Sequence, residues 1–290
     1  MISNIINNAL VCIIYVSESR ASFVNKIRET IALHSKSVCL AHSFVDEPYN
    51  RTSFFLLGPG VTNCALNICD KAYELLDYSE HKGLHPTLGC VDHVSFSPLG
   101  NESNLNNVAE IANQFAKDLS KTHNIPIFMY GAASLRQTRL KDIRRKLGYF
   151  DKNVGKKCLE WTEDCQPDYL LGNTKAIDPS KGISTIGAVP LVVNFNIRFR
   201  DEDERKNIIQ VTKAVRAVST DVEALTLPYG NTFEVACNLL NTREYGPEVV
   251  LEIAQNTADE LGLGIVHHYC TGPTEPLVLQ QLKEWNDSKN

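Results

Sequence analysis

The chain of 290 residues carries a net charge of −5, and 43% of its residues are hydrophobic while 22% are charged. These values are ordinary for a globular protein, and the length is sufficient for one large domain or two moderate ones. A net negative charge argues against non-specific nucleic-acid binding, which requires a basic surface.

The nine cysteines form neither a CxxC pair nor the paired spacing of a metal site, which indicates a reducing compartment. The first apolar stretch, Ala9–Val16, has no Lys or Arg before it and is too short to span a membrane. We interpret it as a buried first strand and expect a cytoplasmic protein without a membrane partner.

The first half of the chain alternates between strand and helix patterns. After the first strand, apolar residues at four-residue steps predict a helix over about 20–33. The patterns that follow are a strand Val38–Asp46, a strand Thr52–Leu57, a helix Val61–Leu75 and a strand Cys90–Phe96. This order, β-α-β-β-α-β, is the split unit of ferredoxin-like folds.

The middle of the chain is less regular. A helix is predicted over 105–119, a short strand over Ile125–Tyr130 and a basic helix from Arg136 to Lys146. Residues 150–183 have no periodicity and contain several glycines and prolines. A segment of this length without periodicity indicates a linker or a functional loop.

The second half repeats the order of the first. Strict alternation over Leu191–Phe199 predicts a strand with Asn194, Asn196 and Arg198 on one face, which suits either hydrogen bonding to a ligand or ordinary solvation. The later elements are helices around 208–215 and 250–261, strands near 222–228, 232–240 and Ile265–Tyr269, and a closing helix Glu275–Trp285.

The sequence therefore predicts an α+β fold of two ferredoxin-like (βαββαβ) subdomains that face each other across a cleft. The predicted subdomains are residues 1–183 and 184–290. Clefts between layers are common ligand sites.

The loop Ser79–His93 is the main candidate for chemistry, because it holds three histidines within a Gly- and Pro-rich segment. His85 lies between a glycine and Pro86, which restrict its backbone. A general acid or base must be held in a fixed position in this way. A simple connection with solvated histidines explains the spacing as well. We interpret His81 as a residue of a helix end and His93 as a polar residue of a sheet face.

Four polar residues lie at the ends of the elements that flank this loop, namely Asp46, Asn50, Arg51 and Lys82. Arg51 suits a substrate carboxylate, but a surface arginine is an equal alternative. No HxxE, HxH or carboxylate cluster supports a metal, and no P-loop or dinucleotide fingerprint is present. The sequence thus predicts no metal site.

The segment His81–Pro86, with Leu88-Gly89 and Asp92, resembles the H-x-G-x-H-P-x-x-G-x-x-D segment of glutamate formiminotransferases. Asn50-Arg51-Thr52, Tyr130–Ala133 and Asn194–Ile197 are similar to further family motifs in the same order, so that the resemblance covers nearly the whole chain. The run Arg144–Phe150 is similar to one in the stand-alone formiminotransferase-domain proteins of plants.

The resemblance implies transfer of a formimino group from N-formimino-glutamate to N5 of tetrahydrofolate, which yields 5-formiminotetrahydrofolate and glutamate without a metal. His85 corresponds to the family's acid/base residue, and Asp46 would hold or polarise it. Tetrahydrofolate would be a co-substrate, and the partners would be this folate and the amino-acid donor. A homodimer is compatible with the sequence. The implied substrate- or folate-binding residues are Asp46, Asn50, Arg51, Lys82, Gly182, Asn194 and Asn196.

One segment departs from the family pattern. Where the family has Pro-Asn-Phe-Ser-Glu-Gly, this chain has Ile14-Tyr15-Val16-Ser17-Glu18-Ser19, so Tyr15 replaces the asparagine and Ser19 the glycine. The change affects the expected donor site more than the folate site. It keeps two alternatives open: a non-catalytic or altered-specificity folate-binding protein, and a small-molecule sensor on a fold that hosts many functions.

Overall fold

The computed structural model describes residues 9–100, 104–149, 161–171 and 177–289. These residues belong to two compact units, one within 1–190 and 275–290 and the other within 191–274. Each unit has helices packed on a largely antiparallel sheet, so the predicted α+β class is confirmed. Within the described ranges, no helix has both the length and the apolar composition needed to cross a bilayer.

The first unit is built on a six-stranded sheet in the order β2-β3-β1-β4-β6-β5. β1 runs antiparallel to β3 and β4, whereas β6 runs parallel to both β4 and β5. The first four strands therefore lie side by side in the order 4-1-3-2. The elements are β1 (Leu10–Val16), α1 (Ala21–Ala32), β2 (Cys39–Asp46), β3 (Arg51–Leu57), α2 (Val61–Leu75), β4 (Val91–Pro98), α3 (Leu105–His123), β5 (Ile127–Gly131), α4 (Leu140–Lys146) and β6 (Ser184–Ala188).

The core of this unit lies between the sheet and helices α1 to α3. Ile27 of α1, Ile68 of α2 and Phe115 of α3 are fully buried, as the predicted apolar stripes require. Helix α3 is capped at its N-terminus by Asn104, whose side chain accepts a hydrogen bond of 2.8 Å from the Asn106 amide. The periodic helices and strands of this half are confirmed within a few residues.

Strand β6 was not predicted. Its five residues include Gly187, where a Cβ atom would lie only 2.4 Å from the Tyr130 ring. The small residue permits the tyrosine to pack flat on the strand, but it removes the alternating pattern that identifies strands in a sequence.

The second unit repeats the strand order in a separate sheet. Its four strands are ordered β10-β7-β9-β8, and all neighbours are antiparallel. Helices α5 and α6 contribute Val211 and Ala254 to its core, where both are fully buried. The elements are β7 (Val193–Phe199), α5 (Arg205–Ala217), β8 (Val222–Tyr229), β9 (Thr232–Leu239), α6 (Pro247–Glu260) and β10 (Ile265–Cys270).

The closing helix α7 (Glu275–Asp287) belongs to the first unit. The Gln281 side chain donates to the Ala41 carbonyl at 3.0 Å, and the Glu275 carboxylate accepts from the Gly100 amide at 2.9 Å. The division into 1–183 and 184–290 stays a prediction. In the structure, the pairing of β6 and the contacts of α7 lie with the first unit.

Candidate active site

The histidine loop is fixed at both ends by backbone contacts. Its first part rests on the turn between β2 and β3, where the Leu84 amide donates to the Pro48 carbonyl at 3.1 Å. At Gly83 a Cβ atom would lie 2.3 Å from the Tyr49 carbonyl oxygen, so only glycine permits this approach. The first half of the loop is therefore held directly beside the start of β3.

The second half of the loop is pinned by Asp92 and by the segment before β6. The Asp92 carboxylate accepts a hydrogen bond of 2.7 Å from the Leu88 amide. The Ile183 amide donates to the Leu88 carbonyl at 2.9 Å, and Gly89 forms an isolated bridge with Gly182. Because both halves are anchored, the His85 backbone between them is held in place.

The His85 ring is held in one tautomer. Its Nδ1 lies 2.7 Å from the Pro86 carbonyl oxygen, and since a carbonyl can only accept, Nδ1 carries the proton. Nε2 is therefore the basic nitrogen of the neutral ring. The Arg51 Nη1 atom lies 3.0 Å from Nδ1 and 3.1 Å from Nε2, so the guanidinium contacts the face of the ring rather than the in-plane lone pair of Nε2.

Aromatic rings surround His85 and its arginine. The Tyr49 ring lies 5.0 Å from the imidazole, and the Tyr149 ring lies edge-on at 6.0 Å with its hydroxyl 3.4 Å from Nδ1. The Arg51 guanidinium lies 4.7 Å above the Tyr15 ring. Burial, with a further contribution from Arg51 and Arg144, holds the pKa of His85 well below its ordinary value.

A buried ion pair supports this arrangement from the other side. Arg144 of α4 donates to the Asp92 carboxylate at 3.3 Å, with the two side chains 13% and 2% exposed. Its guanidinium also lies 4.5 Å from the Tyr149 ring centre. Asp92 therefore joins the loop backbone to α4, and Arg144 holds Tyr149 against His85. Burial raises the pKa of Tyr149 to about 12, so its hydroxyl is protonated at neutral pH.

His93 lies in the sheet and packs between two tyrosines. Its ring lies 5.2 Å from Tyr15 and is stacked on Tyr130 at 5.3 Å, with the Tyr130 hydroxyl 3.2 Å from Nε2. Burial, followed by the charges of Arg144 and Arg51, holds the pKa of His93 well below its ordinary value. These contacts favour the packing role predicted for this histidine.

Asn50 links the turn after β2 to the first residues beyond β1. Its Oδ1 accepts from the Ser19 amide at 3.0 Å, and its Nδ2 donates to the Lys82 carbonyl at 2.9 Å. His81 Nδ1 donates to the Ser17 carbonyl at 2.9 Å, which fixes the protonated nitrogen of that ring. Glu18, Asn50, His81 and Lys82 also line a pocket of about 470 Å³.

Two further predicted residues have structural contacts in the same unit. The Asp46 carboxylate accepts from the Tyr49 amide at 3.2 Å, and through this turn it positions the tyrosine that packs on His85. Gly182 has φ +73°, and a Cβ atom there would lie 2.4 Å from the Leu88 carbonyl oxygen. Asp46 and Gly182 thus shape the His85 loop from opposite sides.

Asn194 and Asn196 belong to the second unit. On β7 they share a face with Arg198, as predicted, and polar side chains on this face are hydrogen-bonded to residues of neighbouring strands. Asn196 donates to the buried Glu234 carboxylate at 2.7 Å, and Asn194 donates to Asn238 at 2.7 Å.

Among the described residues, no group of three or more His, Cys, Asp or Glu side chains is arranged to hold a metal ion.

Comparison with known proteins places the chain in a family. A family profile described as the formiminotransferase domain, N-terminal subdomain, matches residues 9–189. The chain belongs to the formiminotransferase family. Family members are transferases, and this match includes the His85 loop, Arg51 and the Arg144–Tyr149 segment.

Similarity to individual formiminotransferase relatives is moderate. The chain is 27% identical to the formiminotransferase cyclodeaminase-like protein of Arabidopsis thaliana, over 93% of this chain and 95% of that protein. It is 31% identical to the glutamate formimidoyltransferase of Streptococcus pyogenes serotype M1, over 59% of this chain and 55% of that one. It is 26% identical to the glutamate formimidoyltransferase of Thermoplasma acidophilum, over 80% of this chain and 77% of that protein. The chain spans 44% of the Dictyostelium discoideum formimidoyltransferase-cyclodeaminase.

Several residues that contact the candidate site residues were not predicted from the sequence. Tyr149 and Arg144 lie in or after a basic stretch that resembles a solvated helix, and Glu234 lies on a strand among apolar residues. The Arg-rich run shared with the plant proteins was the one signal that pointed to Arg144. For Glu234 no sequence signal was available, because its burial depends on the neighbouring strands.

Proposed function

We propose that this chain transfers a formimino group from N-formimino-glutamate to N5 of tetrahydrofolate, with His85 as the general acid and base. The observation that carries the proposal is a neutral imidazole with Nδ1 fixed by the Pro86 carbonyl, on a loop anchored at both ends within the matched family domain. This geometry directs the basic Nε2 atom away from the loop backbone.

The proposed chemistry requires one proton to be taken and returned. As N5 of tetrahydrofolate bonds to the formimino carbon, His85 would accept the N5 proton at Nε2. His85 would then deliver that proton to the glutamate nitrogen while the bond between this nitrogen and the formimino carbon breaks. Glutamate leaves with its amine restored. The reaction as a whole neither consumes nor releases a proton. General acid–base catalysis of this kind typically increases the rate by a factor on the order of 10²–10⁴.

The residues proposed to bind the two substrates have the polar chemistry that these molecules require. A guanidinium at Arg51 suits a carboxylate of the donor, and the aromatic rings of Tyr49 and Tyr149 beside His85 suit a planar pterin. Asn50 and Lys82 border the 470 Å³ pocket on the other side of the loop. The remaining proposed binding residues are Asp46, Gly182, Asn194 and Asn196.

We also propose that both units are ferredoxin-like. The order 4-1-3-2 of β1 to β4 in the first unit, and of β7 to β10 in the second, supports this assignment. In the first unit β6 and β5 extend that sheet at its β4 edge.

The proposed activity is tested by incubating the chain with N-formimino-glutamate and measuring glutamate release with and without tetrahydrofolate. We expect release that depends on both substrates. If no glutamate forms at any folate concentration, this transferase activity is refuted.

Tyr15 favours a second candidate, a folate-binding protein with altered donor specificity or without catalysis. It replaces the family's asparagine and lies between Arg51 and His93, where its ring occupies space beside the proposed donor. This candidate predicts that tetrahydrofolate raises the melting temperature while formiminoglutamate is not turned over. A Tyr15→Asn variant that gains turnover would support it, whereas full activity of the unmodified chain would exclude it.

A further inference from the structure

One face of the second sheet carries a carboxylate that is completely buried. Glu234 of β9 has no exposed surface, and Arg198 of β7 is its partner in the strand register. Helices α5 and α6 cover the other face of this sheet, where Phe195 and Ile197 belong to the core. Glu234 therefore lies on the face opposite the helices, among polar side chains of the strands.

Glu234 has two hydrogen-bond donors and a cation around it. Asn196 Nδ2 donates to Oε1 at 2.7 Å, and the Tyr269 hydroxyl donates to Oε2 at 3.0 Å. The Arg198 Nη2 atom lies 3.8 Å from Oε2, and the guanidinium carbon lies 3.7 Å from the Tyr229 ring centre. Two donors and a cation favour the ionised form of a buried carboxylic acid.

The charge of Glu234 fixes the direction of the Asn196 amide. Because an ionised carboxylate accepts hydrogen bonds and cannot donate them, the end of the amide that faces Glu234 is the NH₂ group. Nδ2 also lies 3.4 Å from the Tyr269 hydroxyl, so this nitrogen is engaged within the sheet. Among the described residues, Oδ1 has no hydrogen-bond donor and is not one of the buried atoms that lack a partner, so it faces solvent. Asn196 thus presents an acceptor to a ligand.

Arg198 places a donor beside this acceptor. Its Nη2 atom lies 3.3 Å from the Tyr269 hydroxyl, which is the same hydroxyl that Asn196 Nδ2 contacts. The Arg198 side chain is 23% exposed, and its Nε has no hydrogen-bond partner within the described ranges. An acceptor and a donor therefore lie side by side on the sheet face. This pair is complementary to the N–H and C=O groups of a cyclic amide.

We propose that Asn196 and Arg198 bind the amide edge of the pterin ring, with Asn196 Oδ1 accepting from N3–H and the Arg198 guanidinium donating to the 4-oxo group. Glu234 is a positioning residue that holds the Asn196 amide in the direction this requires. The inference rests on the proposed function, because it names the part of tetrahydrofolate that the proposed folate residue Asn196 recognises. It adds Arg198 and Glu234 to the folate site.

This arrangement distinguishes two kinds of pterin. In a 4-amino pterin, N3 carries a lone pair in place of the proton, and an amino group replaces the 4-oxo group. Asn196 Oδ1 then faces an acceptor, and the Arg198 guanidinium faces a donor. Groups left unpaired in this way lower the affinity by about tenfold or more.

The test is isothermal titration calorimetry of the whole chain with tetrahydrofolate and with its 4-amino analogue, tetrahydroaminopterin. We expect wild type to bind tetrahydrofolate more tightly, by about tenfold or more. Glu234→Met replaces the carboxylate with an apolar side chain of similar length and leaves the Asn196 amide able to rotate. In this variant the ratio of the two affinities is expected to fall to about threefold or less.

Two further variants separate positioning from a general structural role. Glu234→Gln keeps an acceptor for the Asn196 NH₂ group, so it is expected to retain the wild-type ratio. Glu202→Gln, at an exposed carboxylate that pairs with Arg200, is the surface control. Circular dichroism checks the folding of each variant. If Glu234→Met does not fold, Asn196→Ala replaces it and is expected to lower the ratio in the same way, because the acceptor is removed.

Two results would overturn the inference. One is a wild type that binds the two pterins equally or binds neither. The other is a folded Glu234→Met or Asn196→Ala variant that keeps the wild-type ratio, even where both affinities decrease together, as a merely structural role would predict.

Calorimetry requires no turnover, so it separates this inference from the proposed function. A chain that shows the preference but releases no glutamate from formiminoglutamate would refute the transferase activity and retain the roles of Asn196, Arg198 and Glu234. A chain that releases glutamate without the preference would refute this inference and retain the transferase activity.

Discussion

His85 differs from an exposed histidine because its ring is buried and held in one tautomer. The Pro86 carbonyl accepts from Nδ1, and the Arg51 guanidinium lies within 3.1 Å of both ring nitrogens. Burial and the two arginines hold the pKa of the ring well below the usual value of about 6.5, so the free protein contains the neutral base at neutral pH. The proposed acid/base role therefore begins with the correct protonation state.

This state predicts different acid limbs for two kinetic parameters. The limb of kcat/KM reports the free enzyme, where the His85 pKa is lowered, and the limb of kcat reports the substrate complex. If a donor carboxylate binds at Arg51, as proposed above, it offsets the positive charge of the guanidinium, and the pKa of His85 rises in the complex. As pH falls, kcat is therefore expected to decrease before kcat/KM does. Coincident limbs in the two pH profiles, or a kcat limb at lower pH, would contradict this account.

At the scale of elements, the ion pair between Arg144 and Asp92 connects α4 to the loop that precedes β4. Arg144→Gln leaves a buried carboxylate without its cation, which typically costs about 3–5 kcal/mol of unfolding free energy. Arg145→Gln is the matched control, because its pair with Asp142 is exposed at 68% and 44% and is worth about 0–1 kcal/mol. Urea unfolding of both variants measures the difference, and equal costs would show that the buried pair is not structural.

Gly182 is predicted to be a packing residue of the loop in addition to its proposed place near folate. Gly182→Ala places a Cβ atom 2.4 Å from the Leu88 carbonyl oxygen at φ +73°, whereas Gly262→Ala has φ +67° with no atom within 4 Å. Both variants carry the cost of a left-handed backbone, roughly 1–2 kcal/mol. We expect Gly182→Ala to lose more than twice as much unfolding free energy as Gly262→Ala, measured by urea unfolding. Similar losses would mean that the loop moves aside without cost.

The elements themselves were largely predictable, because their apolar residues recur with clear periods. Strand β6 was not, since Gly187 breaks its pattern and its pairing with β4 and β5 depends on residues distant in sequence. His85 could be proposed as a candidate from its loop, but Arg144 and Tyr149 could not be proposed as its neighbours. Their place beside His85 arises from the return of α4 to the β4 loop, which no local pattern encodes.

At the scale of the whole molecule, two buried neutral histidines predict that the protein loses stability in mild acid. The pKa values of His85 and His93 are both lowered in the folded state, so the unfolded chain binds more protons below about pH 6.5. Stability is therefore complete above this pH and decreases as pH falls, with a slope of up to about 1.4 kcal/mol per pH unit for each histidine.

The slope identifies the contribution of each histidine. In His93→Gln, the unfolding free energy between pH 5 and 6.5 is expected to depend less steeply on pH than in wild type, whatever the absolute stability of the variant. His34→Gln, at a surface histidine that contacts Asn67, is the control for the loss of a histidine outside the site. Identical slopes in wild type and His93→Gln would mean that His93 is charged in the folded protein.

The central claim is that His85 moves the proton during formimino transfer. The most direct measurement is the rate of glutamate release from N-formimino-glutamate and tetrahydrofolate in wild type, His85→Ala and His34→Ala, each checked for folding. We predict that His85→Ala loses on the order of 10²–10⁴-fold in rate, while His34→Ala retains the wild-type rate. A folded His85→Ala variant with the wild-type rate would contradict the claim.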